Sequence, residues 1–304
     1  MTVGLVLSID AKCAHVEVDG AVHRLPLRGR LFEGASREKR PLAPGDRVDV
    51  TLAADAEGSA IDAVRPRRNR LARRAAGEED REQVIAANVD LVLVVMPVRE
   101  PPFDPLLVDR ILAACERDRL TAVVVLTKLD RDKKGEAAAW LQIYRDLGYQ
   151  AYTTSTAPGH ITSDSLDALR THIHAGTTVL CGPSGAGKST LVNTLVPGTD
   201  LRVGALGKLR QGQHTTTRAE LVPLPGGGHV IDTPGVRAFA LWGVNTQEIA
   251  FYFRDVAACA GGCAYRNCSH RDEPDCAVRG HVHQSRLRSY HLLFEEVVRH
   301  EARG

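Results

Sequence analysis

The sequence predicts an α/β chain: a doubly wound, mostly parallel sheet, with a small oligonucleotide-binding-type β-barrel before it and a cysteine-rich α-helical unit after it. Three observations predict this. From Asp90 onward, short apolar runs alternate with amphipathic ones, the pattern of repeated strand–helix–strand units. Within that alternation Gly182-Pro183-Ser184-Gly185-Ala186-Gly187-Lys188-Ser189 joins a β-branched run, Thr177 to Cys181, to a helix-like run, Thr190 to Leu195. The first 65 residues instead hold five short strand candidates punctuated by turn signals.

Those five are Val3 to Ile9, Ala14 to Val18, Val22 to Leu27, Arg47 to Leu52 and Ala60 to Val64, with turns at Asp19-Gly20, Pro44-Gly45-Asp46 and Glu57-Gly58. Five strands in so short a span suit a closed barrel. The long connection Arg28 to Pro41 carries Arg28, Arg30, Arg37, Lys39 and Arg40, a composition suited to a phosphate backbone. Arg65, Arg67, Arg68, Arg70, Arg73 and Arg74 follow closely. The stretch 65–82 is expected to be a basic interdomain segment facing a polyanion. The expected division is a barrel at 1–68, a nucleotide-binding domain at 69–240 and a C-terminal unit at 241–304.

The sheet elements come next. Leu91 to Met96, Thr121 to Leu126, Gln150 to Thr154 and Thr177 to Cys181 read as strands. Asp104 to Arg117, Glu136 to Leu147 and Ser165 to His174 read as helices between them. Ligands of such sheets bind beyond the C-terminal strand ends, and the motifs fall there.

The glycine-rich stretch fits the phosphate-loop spacing Gly-x4-Gly-Lys-Ser/Thr. Its glycines let backbone N–H groups turn toward phosphate oxygens, and the helix beginning near Thr190 adds its N-terminal partial charge. Lys188 would reach the β- and γ-phosphates, and Ser189 would ligate Mg2+. Thr127-Lys128-Leu129-Asp130 resembles the guanine-reading motif of GTPases. The Asp130 carboxylate can accept from both guanine N1–H and the 2-amino group, whereas adenine offers no such donor pair. Lys128 can lay its stem over the base. Thr127 stands where an Asn amide commonly ties loops together, so that tie is expected to be lost. Thr153 to Thr156 occupies the place of a loop whose backbone meets guanine O6, with Ser155 the candidate. Asp232-Thr233-Pro234-Gly235 follows the strand Val230-Ile231: Asp232 would hold Mg2+ through water, and the Gly235 N–H would meet the γ-phosphate. In His214-Thr215-Thr216-Thr217, Thr216 or Thr217 would complete the Mg2+ shell. Val236 cannot orient the attacking water, so either another group holds it or hydrolysis waits for a partner; His214 is the nearest candidate side chain.

Cys263-x4-Cys268-x-His270-x5-Cys276 supplies four ligands suited to a closed, structural tetrahedral zinc site. Cys259 is a spare, and His281 and His283 are alternates. Gln284 to Arg299 reads as an amphipathic helix with Leu287, Tyr290, Leu293, Phe294 and Val297 on one face.

Taken together, Gln83 to Asp90, Thr127 to Asp130, Gly182 to Thr190, Gly212 to Thr217, Asp232 to Gly235 and the Cys/His cluster resemble a known family, the circularly permuted small-ribosomal-subunit biogenesis GTPases called RsgA or YjeQ. The guanine readers precede the phosphate loop, the permuted order. The resemblance covers nearly the whole chain. It implies the barrel, the permuted GTPase core and the zinc unit, with Cys263, Cys268, His270 and Cys276 as metal ligands and Cys259 left out. It also implies docking on the small ribosomal subunit and its rRNA late in maturation, with GTP hydrolysis to GDP, stimulated by the ribosome, driving release.

Net charge is only +2, so an RNA partner has to be recognised by local patches. The longest apolar run, Leu91 to Val98, is far too short to span a bilayer, and the first ten residues lack a signal-peptide pattern. A monomeric, cytoplasmic protein with no membrane partner is expected. Two other classes compete: a nucleotide-gated RNA-binding module in which hydrolysis is incidental, and an ATP-dependent enzyme such as a kinase, which Asp130 argues against.

Overall fold

Thr2–Ile9 (β1), Cys13–Val18 (β2), Ala21–Pro26 (β3), Arg47–Thr51 (β4) and Ala60–Val64 (β5) form an antiparallel sheet in the order β3-β2-β1-β4-β5. The structure, a computed structural model, describes residues 2–10, 12–27, 31, 38, 40–53, 58–75, 81–173, 176–199, 201, 219–233 and 239–302. β1 pairs with both β2 and β4 and changes register between Val6 and Ser8. Such an irregularity bends a strand, and this sheet curls as an oligonucleotide-binding half-barrel does. Alternate residues such as Val6, Val16, Val48, Val50 and Ile61 fill its interior.

The basic segment is not an extended linker. Arg70–Arg74 (β6) and Glu82–Ala87 (β7) pair as an antiparallel ribbon. Its arginines are spent largely on the chain's own carboxylates: Arg65 on Asp49, Arg67 on Asp46 and Glu38, Arg68 on Asp90, and Arg70 on Glu82. Asp46 is fully buried, and Arg67 supplies it with two N–H donors at 2.8 and 3.0 Å. Four of the six guanidiniums in the run thus pair with the chain's own carboxylates, Arg67 from a largely buried position.

The ribbon is anchored at both ends. Ala87 N–H donates to the Pro44 carbonyl, and the Asn88 amide donates to that of Gly45 while its oxygen accepts from Arg68 N–H. Gly45 has φ +90°, and a Cβ there would lie 2.2 Å from the Ala87 carbonyl oxygen, so the barrel and ribbon touch through bare backbone. At the far end Arg74 N–H donates to the Ala240 carbonyl, and Arg117 reaches the carbonyls of Ala72 and Trp242.

Beyond the ribbon come Leu91–Pro97 (β8), Pro105–Asp118 (α1), Ala122–Thr127 (β9), Glu136–Asp146 (α2), Gln150–Thr153 (β10), Ser163–Ile173 (α3), Thr177–Cys181 (β11), Lys188–Leu195 (α4), Glu220–Pro223 (β12), His229–Asp232 (β13), Arg254–Ala260 (α5) and Gln284–Glu301 (α6). The sheet order is β10-β9-β8-β11-β13-β12, parallel except for β12 against β13. The chain winds outward from β8 in one direction and then, from β11, in the other. The crevice above β8 and β11 is therefore the topological switch point, where such sheets bind ligands. β8 is buried along its whole length, as a strand covered on both faces must be. Val92, Val94 and Met96 meet the α1 side, and Leu91, Leu93 and Val95 meet the α3–α4 side.

α6 joins the α1 side through an ion pair that its apolar pattern conceals. Arg286 is 2% exposed, lies 2.5 Å from Asp109 of α1 and makes paired contacts of 3.0 Å with Asp255 of α5. The buried face is Arg286, Ser289, Tyr290, Leu293, Phe294 and Val297, with Leu287 only partly covered. Breaking a buried pair strands a charge. Arg286→Ala is expected to cost about 3 kcal/mol or more, read as a lower denaturant midpoint at unchanged slope; an unaltered midpoint would refute it. Among the described residues no helix is long and apolar enough to cross a membrane.

Candidate functional site

The chain leaves β11 at Cys181 and turns sharply at Gly182, whose φ is +153°. A Cβ there would fall 1.9 Å from the Val95 carbonyl oxygen of β8. Only glycine lets the loop cross the neighbouring strand this closely. Pro183, Ser184, Gly185, Ala186 and Gly187 carry the loop to α4, with no side chain capping that helix. Lys188 is buried at its first turn, and its ammonium donates to the carbonyls of Gly182 and Pro183 at 3.1 Å each. Burial pulls its pKa below the usual lysine range, and Asp232 pushes back.

Asp232 ends β13 directly across from this turn. Ser189 Oγ donates to its Oδ2 at 3.3 Å. Its Oδ1 is buried with no hydrogen-bond partner among the described residues. Burial lifts the Asp232 carboxyl above the ordinary range, opposed by Lys188 and by the Ser189 hydroxyl. A hydroxyl beside a buried, half-satisfied carboxylate is oxygen chemistry that suits Mg2+. The next residue, Thr233, is buried and donates to the Leu180 carbonyl at 2.6 Å, which fixes the start of the Asp-x-x-Gly motif against β11.

The segments expected to read the base converge from the other side of the switch point. Thr127 Oγ1 donates to the Ala186 carbonyl at 2.6 Å. The expected loss of a loop-to-loop tie is thus corrected: the threonine hydroxyl, buried at the end of β9, makes that tie itself. Lys128 has φ +59° and donates to the Glu100 carbonyl. Leu129 to Arg131 form a 3-10 turn, and Leu129 N–H is held by the Thr154 carbonyl at 3.1 Å. Asp130 Oδ1 accepts from Ser155 Oγ at 2.8 Å. The Ser155 N–H, expected to face a base, instead donates to Thr162 Oγ1 at 3.1 Å, because this loop closes on itself before α3. Ser155 therefore meets the guanine-type loop through its hydroxyl. His214, Thr216, Thr217 and Gly235, with Val236, lie outside the described residues.

At the C-terminus the ligand atoms of Cys263, Cys268, His270 and Cys276 all lie within 4.8 Å of one another. Cys263 Sγ is 3.5 Å from His270 Nδ1 and 4.0 Å from Cys276 Sγ, which is 3.7 Å from that same nitrogen. Ligands at zinc bond lengths of about 2.0–2.3 Å in a tetrahedron stand roughly 3.5–3.8 Å apart, so the cluster fits such an ion. His270 has φ +60° and is held from outside by its carbonyl, which accepts from His291 Nε2 at 2.8 Å. Cys259 sits on α5 against the apolar core, apart from the four. His281 and His283 turn to the Ala277 carbonyl and to Ser285 instead.

A family model described as RsgA GTPase matches residues 64–242. The chain belongs to the RsgA GTPase family. A small ribosomal subunit biogenesis GTPase RsgA from Bacteroides fragilis is 32% identical over 96% of both chains. Another, from Gemmatimonas aurantiaca, is 38% identical over 90% of this chain and 89% of its own. Among solved structures, YjeQ from Thermotoga maritima aligns with a TM-score of 0.72 at 28% identity, covering 98% of each chain. YloQ, described as a circularly permuted GTPase, shares the fold with a TM-score of 0.67 at 24% identity, covering 99% and 96%. As an RsgA GTPase the chain hydrolyses GTP, and its permuted order is visible in the sheet: β9 and β10 with their base-side loops precede β11 and the phosphate loop. Sequence reasoning did not find Thr162 or the Ser155–Asp130 bond. The Ser/Thr-rich composition of 153–163 was the one available signal.

Exchanging one of the four side chains tests whether the C-terminal cluster of this RsgA GTPase holds a metal. Cys268→Ser is expected to abolish stoichiometric zinc in elemental analysis and lower the thermal midpoint by several degrees, since a structural site contributes folding energy. Full zinc content in that variant would discount Cys268 as a ligand.

Proposed function

We propose that this chain is a GTP-operated maturation factor that binds the small ribosomal subunit through its rRNA, is stimulated there, and leaves on hydrolysis. The observation that carries the reading is the resemblance along nearly the whole length to proteins named small ribosomal subunit biogenesis GTPases, joined to a phosphate loop and a base-side loop fastened by Thr127 and Ala186. The outer units, 1–68 and 241–304, make the RNA contacts, and 69–240 holds the nucleotide. The protein acts as a cytoplasmic monomer.

In this reading Gly182, Pro183, Ser184, Gly185, Ala186, Gly187 and Thr190 wrap the phosphates in backbone N–H groups. Lys188 supplies positive charge to the β- and γ-phosphates. Asp130 accepts from the guanine edge, Lys128 covers the base, and Leu129 and Ser155 hold Asp130 in place. Ser189, Asp232 and one of Thr216 and Thr217 would hold Mg2+, which when bound neutralises phosphate charge. Gly235 meets the γ-phosphate, and His214 orients the attacking water. Cys263, Cys268, His270 and Cys276 would hold zinc, a structural ion. The test is GTP turnover with and without purified small subunits at two salt concentrations. Turnover should rise on adding subunits and rise less at high salt; no stimulation at low salt would defeat the reading.

A further inference from the structure

A groove of about 930 Å³ opens between the start of α1, the middle of α2 and the N-terminal half of α6. It lies at the seam between the nucleotide-binding body and the metal-bearing unit. On the α2 wall stands Trp140, half-buried, backed by Phe103 with ring centroids 4.7 Å apart. His283 meets the same indole edge-on at 6.5 Å. On the α6 wall Arg288 is exposed and makes no hydrogen bond or ion pair among the described residues, in contrast to Arg286 two positions earlier. Leu287 and Leu292 give the wall an apolar floor. The carboxylate that lines the groove, Asp104, accepts the Leu107 N–H as the cap of α1.

From this we infer that the groove takes a single-stranded RNA segment, a base laid on Trp140 and its phosphate beside Arg288. The proposal rests on the reading of the chain as an rRNA-binding factor. A rigid aromatic against an unpaired guanidinium is how proteins hold unstacked nucleotides. Charge complementarity favours a phosphate chain, because the lone lining carboxylate is engaged and the free lining charge is positive. The volume is at the upper end of the range for small-ligand sites, so more than one nucleotide fits. The groove also adjoins the nucleotide loops. Phe103 follows Glu100 and Pro101; Glu100 accepts from Lys128, and Pro101 lies 3.8 Å from the Cβ position of Gly185.

The chain has two tryptophans, so a Trp242→Phe background leaves Trp140 as the only indole reporter. Titration of this full-length variant with a mixed-sequence single-stranded RNA decamer should quench its fluorescence saturably. Arg288→Ala in the same background should weaken binding several-fold and lower the log–log salt slope by about 1. Trp140→Ala, read with end-labelled decamer, should lose about tenfold, and the milder Trp140→Phe should recover most of it. Decamer affinity unchanged in Arg288→Ala and Trp140→Ala overturns the proposal, as does tighter binding of a polyglutamate peptide in the groove. Small-subunit binding is measured in parallel. Quenching by the decamer without any subunit binding supports the groove and defeats the functional reading. Subunit binding with no quenching does the reverse.

Discussion

Exchanging Asp130 for Asn should turn a GTP-preferring chain toward xanthosine nucleotides. The carboxylate is a pure acceptor, and guanine offers two donors on that edge; an asparagine amide presents one acceptor and one donor. A site built to hydrogen-bond a substrate N–H discriminates against mismatched partners by about 10⁴, and a loss of GTP affinity approaching that size is expected. Xanthine, with a carbonyl in place of the 2-amino group, pairs with the new amide. The Ser155 hydroxyl donates to Asp130 Oδ1 at 2.8 Å and can donate equally to the amide oxygen, so the loop should keep its shape. Competition of GTP, XTP and ATP against a fluorescent guanine nucleotide measures the shift. Unchanged GTP affinity in Asp130→Asn would remove Asp130 from the base site.

Lys188→Ala should lower turnover by about a hundred- to a thousand-fold, the size seen when one preorganised donor is removed from a water-excluded site. The ammonium is buried and hangs on the carbonyls of Gly182 and Pro183. In the proposed reading it exchanges these two carbonyls for phosphate oxygens, and its burial keeps that charge unscreened. Single-turnover hydrolysis at saturating GTP separates lost chemistry from lost binding. Turnover within a factor of three of the parent would contradict the role given to Lys188.

Much of the nucleotide-binding half was legible because its chemistry is local. Gly182 to Ser189 states its loop, strand and helix within a dozen residues, and β11 falls where the β-branched run predicts it. The Cys/His cluster was legible for the same reason: four side chains able to bind a metal within 14 residues leave few ways to meet. What escaped was long-range pairing. Arg70-Leu71-Ala72-Arg73-Arg74 reads as part of a basic interdomain segment until Glu82 and Gln83 are placed opposite it. Arg286 sits at helical spacing with Tyr290, Leu293 and Val297. Only the arrival of Asp109, 177 positions away in sequence, together with Asp255, 31 away, explains a charge on that face. In sequence Thr127 shows only the amide it lacks, since the partner of its hydroxyl, the Ala186 carbonyl, belongs to another loop.

The ribbon β6–β7 has a mechanical meaning. It is bolted to Pro44 and Gly45 of the barrel at one end and to Ala240 at the other, where the chain comes away from the Asp-x-x-Gly motif. A force applied to the barrel is therefore delivered to Ala240 through a stiff two-stranded lever. In solution the barrel and the sheet should tumble as one particle with a shared rotational correlation time.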